Sequence, residues 1–460
     1  MKNKIYLTIR TFLLLLCFVF ANVAASAQKY YQIYTKNEGL IQIPGDPIDK
    51  VKIENEFVNF YSSLPIISGN QIPVLGWNGI PIEYTSAERY KEMADAGFTI
   101  NLPWDLCFNA SVIAGDPVKY FNALDAAQAN NMQIFVGAGV LGNFSQENRD
   151  KLMAHPALAG YTLSDEPSTE EQFTQLGNWV RRVQTLDKKH PCYINLGGNY
   201  GYAYNVLPLV YVNDSAGYNN SVRSFMQKVP VPMISFDHYP IYLDETTKQR
   251  KIRTEFYQNL EFISSETKKA GKPFWAFANC MEHLSDKQYP VPTINDLRLE
   301  VFSNLAYGAQ CIQYFTYWNT NFGQMAPIDQ NGKRTDTYYI VQTMNKEIKN
   351  LSKVFLNAKM VWVKHTGEIP WGCTELDKSD LPAVFSSLEI TGGKGVLVSL
   401  LEKKDDNFLV IVNHDINQNV SVTVAGTNLQ QIQKDGSDIV AIDGLQTIIP
   451  GDILIYTWKK

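Results

Sequence analysis

The stretch LAGYTLSDEPSTEEQFTQLGNWVRRVQTLDKKHPCYINLG (residues 158–197) has the pattern of a strand, a helix and a second strand. Its two ends are short apolar runs, and between Glu170 and Lys188 apolar residues recur at spacings of three and four. That spacing is typical of a helix with one apolar face. Ser168 and Glu171 predict a capping box before this helix. The unit therefore predicts two parallel strands joined by a helix.

The same alternation repeats along much of the chain. Eight strand-like segments separated by helical patterns predict an α/β protein with a closed (β/α)8 barrel over residues 71–358. A doubly wound open sheet is the alternative, but the first segment is not followed by the glycine-rich phosphate turn of that fold. The eight segments are PVLGWNG (73–79), TINLPW (99–104), QIFVGAG (133–139), LAGYTL (158–163), PCYINLG (191–197), PMISFDHY (232–239), PFWAFAN (273–279) and CIQYFTYW (311–318).

The first 27 residues have the pattern of a cleavable signal peptide. Basic residues precede the apolar run from Phe12 to Phe20, and small residues end at Ala27, which predicts cleavage before Gln28. The apolar run is shorter than the roughly 20 residues that span a bilayer. We therefore expect a secreted or periplasmic protein whose mature chain is not inserted in a membrane.

The two ends of the mature chain differ from the barrel in pattern. In residues 359–460, NFLVIVNH (407–414) and neighbouring segments alternate or run apolar between Asp, Asn and Gly turns. This pattern predicts a small antiparallel β-sandwich. Residues 28–70 form an N-terminal extension whose role the sequence leaves open.

Composition excludes several classes of partner. The formal net charge is −5, 19% of residues are charged and no basic stretch is present, so we expect neither nucleic acid nor an anionic membrane surface as a partner. Of six cysteines, Cys17 lies in the signal peptide and the others stand singly. Isolated cysteines predict neither a disulfide framework nor a metal site, and we expect no cofactor. The oligomeric state is left open.

Carboxylates, amides and aromatic rings are concentrated at the ends of the predicted strands. In a barrel of this kind, chemistry takes place at the carboxyl ends of the strands. Hydrolysis of a glycosidic bond needs two carboxyl groups, and flat rings provide a surface for the apolar face of a sugar. The pattern therefore predicts a carbohydrate substrate. The candidate residues are Trp77, Trp104, Asp105, Asp165, Glu166, Asp237, His238, Tyr239, Asn279, Glu282 and Trp318.

Three of these positions resemble clan A glycoside hydrolases. Glu166 in SDEP is similar to the acid/base residue after the fourth strand, Tyr239 in DHYP to a tyrosine after the sixth, and Trp318 to a sugar-stacking tryptophan after the eighth. The segment APIDQNGKRTDTYYIVQTMNKEI (326–348) resembles the β-galactosidases of glycoside hydrolase family 42. The resemblance implies a barrel hydrolase acting on β-linked sugars of a poly- or oligosaccharide, with retention and with Glu166 as acid/base.

The chain departs from the family pattern in two places. Asp165 stands where the clan usually has an asparagine that bonds the sugar 2-hydroxyl. At the end of strand seven, Ala278 stands where the clan has its nucleophilic glutamate, and Asn279 follows it. Glu282 is the nearest carboxylate, and we expect it within about 9 Å of Glu166 if it serves as the nucleophile.

Two alternatives stay open on these residues. A non-hydrolytic carbohydrate-binding barrel would lack the nucleophile altogether. An inverting enzyme would use a more distant second carboxylate, with Asp105 or Asp237 as candidates. The sugar, the linkage and the choice between exo and endo action are not set by the sequence.

Overall fold

The computed structural model describes residues 69–109, 116–200, 215–283 and 289–460, with gaps at 245, 322 and 443. Nearer the N-terminus it describes the backbone of one antiparallel hairpin, Tyr30–Tyr34 paired with Leu40–Pro44. The predicted signal peptide and the rest of the N-terminal extension up to residue 68 lie outside the described residues.

Eight parallel strands close into a barrel, which confirms the predicted fold class. Neighbours in the barrel are neighbours in the chain, and the eighth strand closes it by pairing with both the seventh and the first. The strands are short apolar runs because helices cover the outer face while side chains fill the interior. From first to eighth they are Val74–Trp77, Ile100–Leu102, Gln133–Gly137, Leu158–Asp165, Cys192–Leu196, Ile234–Phe236, Phe274–Asn279 and Ile312–Phe315.

The connecting segments are mostly helical. The helices are Ala87–Asp95, Trp104–Cys107, Pro117–Gln128, Val140–Asn143, Gln146–Ala154, Glu170–Leu186, Ser215–Lys228, Glu255–Lys269, Ile294–Ala306 and Asp336–Phe355. Short 3-10 turns cover Ile82–Tyr84 and Lys378–Asp380. Two small ladders sit in the loops, Ile241–Leu243 with Arg250–Ile252 and Glu282–His283 with Gly323–Gln324.

The capping box of the helix Glu170–Leu186 is one residue later than predicted. The Thr169 hydroxyl accepts from the Gln172 backbone N–H at 3.2 Å, and the Gln172 side chain accepts from the Thr169 N–H at 3.0 Å. The prediction of Ser168 and Glu171 was therefore wrong. Serine and threonine are both good N-caps, and Glu and Gln both complete the box, so adjacent equivalent pairs cannot be separated by sequence.

After the last barrel helix the chain forms two antiparallel sheets of six and three strands. Apolar side chains from both sheets form one cluster, as in a sandwich. The other face of the larger sheet packs on the barrel helix Ile294–Ala306, where the Ser399 hydroxyl donates to the Ala306 carbonyl at 2.7 Å. The strands are Lys359–His365, Phe385–Thr391, Val396–Lys403, Asp406–Asn413, Val420–Gly426, Gln430–Ile432, Asp438–Val440, Gly444–Ile448 and Ile453–Lys459.

Among the described residues, no helix is both long enough and apolar enough to cross a bilayer. The cysteines of this part of the chain are free thiols, and four of them are buried. In the same part, no cluster of three or more His, Cys, Asp or Glu side chains is arranged to hold a metal ion.

Candidate active site

A cavity of about 870 Å³ opens at the carboxyl ends of the barrel strands. Loops after the first, second, fourth, sixth, seventh and eighth strands contribute to its wall. Most of the side chains proposed from the sequence line it. They are Trp77, Trp104, Asp105, Asp165, Glu166, Asp237, Tyr239 and Trp318. His238, Asn279 and Glu282 do not line it.

Glu166 enters the cavity from an unusual backbone conformation. Its φ is 44°, in the left-handed region that non-glycine residues rarely adopt, and its N–H donates to the Asn195 carbonyl at 2.9 Å. The fourth strand is irregular just before it, since the pairing with the fifth strand shifts between Thr162 and Ser164. Strained backbone of this kind concentrates at functional sites. The irregular strand end explains why two acidic residues follow a buried apolar run.

Two further carboxyl groups, those of Asp165 and Asp237, lie beside Glu166. Asp237 hydrogen-bonds to Glu166 and is only 8% exposed, whereas Asp165 opens to the solvent of the cavity. Burial, followed by the charges of Glu166 and Asp165, raises the pKa of Asp237 well above its usual range. Surrounding protein and the Glu166 charge raise the pKa of Asp165 to about 7, against the lowering effect of the Asn195 hydrogen bond. The cluster therefore keeps a proton at neutral pH.

A buried polar chain runs beneath this cluster. The Tyr193 hydroxyl donates to Gln313 Oε1 at 2.6 Å, and Gln313 Nε2 donates to Ser235 Oγ at 2.9 Å. Ser235 Oγ donates to Asn195 Oδ1 at 2.9 Å, and Asn195 Nδ2 donates to Asp165 Oδ1 at 3.3 Å. Each link fixes the orientation of the next, so the chain holds Asp165 in place. Sequence analysis missed Asn195, whose signal was a polar amide inside the apolar strand Cys192–Leu196.

Replacing Asp165 by Asn is expected to raise the melting temperature more at pH 8 than at pH 4.5. An unfolded Asp ionises near pH 3.9, whereas the folded carboxyl has a pKa of about 7. Between these values the folded state holds the proton that the unfolded state has lost, so the free energy of unfolding falls as the pH rises. Asparagine does not ionise, so the variant does not lose this stability as the pH rises. Calorimetric scans at the two pH values measure the difference.

The matched control for this experiment is Asp405→Asn. Asp405 is exposed in a turn of the C-terminal sheets, outside the cavity lining. Its substitution should change the melting temperature equally at both pH values. If Asp165→Asn raises the melting temperature no more at pH 8 than at pH 4.5, the pKa of Asp165 is not raised in the folded state.

The aromatic rings of the cavity differ in how much surface they offer. Trp104 is 46% exposed and is backed by Phe108, with ring centroids 4.8 Å apart. Trp318 is only 3% exposed, because Tyr84 packs against its ring at 4.7 Å and the Arg89 guanidinium lies 5.4 Å from it. Trp104 therefore presents the open face, while Trp318 contributes little more than an edge.

Among the described residues, the end of the seventh strand and the start of the loop after it bring no carboxylate into the cavity. Phe277 lines the wall, but the Asn279 N–H donates to Glu300 Oε2 at 2.8 Å and Asn279 Nδ2 donates to the Met281 carbonyl at 2.9 Å. The Glu282 carboxylate accepts from the Gln324 amide in the small ladder beyond the strand. The role of Glu282 as nucleophile and its approach to Glu166 therefore stay predictions.

His238 lies on the opposite side of its strand end from the cavity. Asp237 and Tyr239 line the cavity, so the residue between them faces away, as alternation along an extended chain requires. Its ring packs against Tyr200 at 4.5 Å and Phe256 at 5.4 Å. Burial, with the Arg253 charge, lowers its pKa well below the usual range. His283, which follows strand seven in the sequence, lines the cavity.

Comparison with known proteins gives a family match over part of the chain. Residues 213–351, which reach from before the sixth strand into the last barrel helix, match the glycoside hydrolase family 42 model described as beta-galactosidase. No curated protein matches the sequence. The match covers the segment in which the sequence itself resembles that family.

Solved family 42 structures share the fold. A catalytic mutant of Gan42B, a GH42 β-galactosidase from G. stearothermophilus, superposes with a TM-score of 0.55 at 9% identity, over 85% of this chain and 99% of that one. The β-galactosidase from Rahnella sp. R3 gives a TM-score of 0.53 at 10% identity, over 86% and 99%.

These findings confirm the resemblance to clan A glycoside hydrolases. The barrel followed by antiparallel sheets is the arrangement that the solved family 42 enzymes share with this chain. The protein is a (β/α)8 barrel similar to the family 42 β-galactosidases, in residues 213–351 by sequence and over most of its length by fold.

Proposed function

We propose that this protein is an exported hydrolase of β-linked glycosides in which Glu166 is the general acid/base. The observation that carries the proposal is the hydrogen-bonded pair of Glu166 and Asp237 in the wall of an aromatic-lined cavity. A general acid must receive a proton near the working pH, and the raised pKa of Asp237 keeps a proton in this pair of carboxyl groups. The exposed Trp104 ring offers the apolar face of a sugar a surface in the same cavity.

The distance between Glu166 and the second catalytic carboxylate decides whether the anomeric configuration is retained or inverted. Retention needs two carboxyl groups roughly 5 to 5.5 Å apart, and it is the route that the family resemblance implies, through Glu282. Inversion needs them roughly 6.5 to 9.5 Å apart with water between them, and Asp105 lines the cavity already. Asp237 is a poor inverting base, because its direct hydrogen bond to Glu166 leaves no room for that water.

A carbohydrate-binding barrel is the second candidate function. It is favoured by one observation, the end of the seventh strand, where Ala278 and Asn279 provide no carboxylate and Glu282 bonds Gln324 outside the cavity lining. Such a barrel would bind the same sugars without cleaving them.

A substrate screen tests the proposal. The purified protein is incubated with chromogenic β-glycosides and with oligosaccharides, and the anomer released first is identified by proton NMR. Retention with loss of activity in Glu282→Gln would assign the nucleophile to Glu282. Inversion with loss of activity in Asp105→Asn would assign the base to Asp105. Calorimetric binding of an oligosaccharide that is never cleaved would instead support the binding barrel.

Export rests on the first 27 residues, which lie outside the described part of the chain. Mass spectrometry of the protein recovered from the periplasm or medium should give a mature N-terminus at Gln28. An intact N-terminus on protein retained in the cytoplasm would contradict export.

A further inference from the structure

In the described part of the chain, the aspartate, glutamate, lysine and arginine side chains that line the cavity are all acidic. Among the described residues that line it there are five carboxylates and neither lysine nor arginine. A concave site walled by protein focuses the field of such charges. Uronic acids and sulfated sugars are disfavoured there, and a positively charged group is favoured. The carboxylates are Glu83, Asp105, Asp165, Glu166 and Asp237.

Arg89 and Arg253 are engaged by other groups. Arg89 packs behind Trp318 and bonds Glu92, with its Nη1 2.7 Å from the carboxylate. The Arg253 guanidinium lies 5.1 to 5.3 Å from the centroids of three tyrosine rings and donates to the Tyr289 hydroxyl at 3.0 Å. Neither residue lines the cavity. The carboxylates are therefore not neutralised by these arginines.

Asp237 supplies an independent sign of a missing ligand. Its side chain lines the cavity although the residue is only 8% exposed, and its Oδ1 atom has no hydrogen-bond partner among the described residues. Buried polar atoms are rarely left unpaired in proteins, because an unmade hydrogen bond is costly. A donor on a bound molecule would complete this one.

The neighbouring groups show which kind of donor fits. Asp165 Oδ1 accepts a long hydrogen bond, at 3.3 Å from Asn195 Nδ2. Asn195 Oδ1 already accepts from Ser235 at 2.9 Å. The cluster keeps a proton that one of its carboxyl groups can donate, and its other carboxyl oxygens are acceptors, so acceptors outnumber donors. A hydroxyl offers it one donor, whereas an ammonium group offers three donors, no acceptor and a positive charge.

We propose that the sugar bound beside Glu166 carries an ammonium group, which donates to Asp237 Oδ1 and Asp165, and that the substrates are glycosides of amino sugars with a free amine. This inference rests on the carbohydrate site of the proposed function and adds the class of sugar. Charge-assisted hydrogen bonds of this kind are shorter and stronger than those of a neutral hydroxyl.

A matched pair of oligosaccharides tests it. Tetrasaccharides of β-1,4-linked glucosamine and of N-acetylglucosamine share a skeleton and differ in charge. Titration calorimetry of the full chain at pH 6 is expected to give about 10-fold tighter binding of the glucosamine form, and raising salt from about 20 to 500 mM should weaken that binding several-fold. The affinity for the N-acetylated form should change less than about twofold with salt.

Variants locate the binding group. Asp237→Asn is expected to weaken glucosamine binding about 10-fold and N-acetylglucosamine binding less than about twofold. Asp405→Asn, which removes the same charge from an exposed turn, should leave both affinities unchanged. Circular dichroism checks the fold, and Asp165→Asn is the second variant if Asp237→Asn does not fold.

The outcomes separate the two proposals. Equal affinity for the two tetrasaccharides, or an Asp237→Asn variant that weakens both alike, would overturn the amino-sugar inference. If the amino-sugar inference fails in this way but the protein cleaves neutral β-glycosides, the hydrolase proposal still stands. If the glucosamine form is preferred but no glycoside is cleaved, the inference stands and the hydrolase proposal fails.

Discussion

Replacing Glu166 by Gln is expected to lower kcat on natural oligosaccharides by about 10²- to 10⁴-fold, with little change in oligosaccharide binding. The leaving sugar oxygen needs a proton as the glycosidic bond breaks, and glutamine cannot supply one. The hydrogen bond to Asp237 can survive, because an amide has nearly the shape of a carboxyl group. The fold should therefore be retained.

Two substrates and one control make this result specific. Aryl glycosides with acidic leaving groups depart without much protonation, so their kcat should fall far less than that of oligosaccharides. Glu171→Gln is the matched control, since Glu171 is exposed on the helix Glu170–Leu186, where it accepts from Gln175. Oligosaccharide turnover close to wild type in Glu166→Gln would remove Glu166 from the mechanism.

The barrel could be predicted because its signals are local. Each strand is a short apolar run, and the amphipathic pattern between Glu170 and Lys188 became the helix Glu170–Leu186. The strand Asp406–Asn413 contains five consecutive apolar residues, 408–412, where a half-exposed strand would alternate. This strand is covered on one face by the smaller sheet and on the other by the barrel helix Ile294–Ala306. A strand covered on both faces does not alternate.

The candidate site was predictable only to the level of strand ends. The sequence shows that a residue follows a strand. Whether its side chain points into the cavity depends on the exact residue at which the strand ends, because side chains alternate between the two sides of an extended chain. Asp237 and Tyr239 therefore reached the cavity while His238 did not. The position of Glu282 depends on a partner, Gln324, that is 42 residues further along the chain. Pairing between two loops leaves no periodic signal.

The two tryptophans at the cavity show the same limit. Trp104 and Trp318 both follow barrel strands, and the family resemblance favoured Trp318 as the sugar platform. Packing separates them, because Tyr84 and Arg89 cover the Trp318 ring while the Trp104 ring stands 46% exposed. We therefore expect the platform at Trp104 and a structural contribution from Trp318.

Trp318→Ala is expected to lower the free energy of unfolding by about 3 to 5 kcal/mol, the usual cost of deleting a buried aromatic side chain. Trp104→Ala should change it by less than about 1 kcal/mol, because an exposed ring leaves no cavity. Trp104→Ala should instead weaken the binding of oligosaccharides. Covering roughly 60 Å² of ring with a sugar is worth about 1.5 kcal/mol, or about tenfold in Kd. Denaturant titration and oligosaccharide calorimetry on both variants separate the roles. A stable Trp318→Ala that loses affinity, beside a Trp104→Ala that binds normally, would return the platform to Trp318.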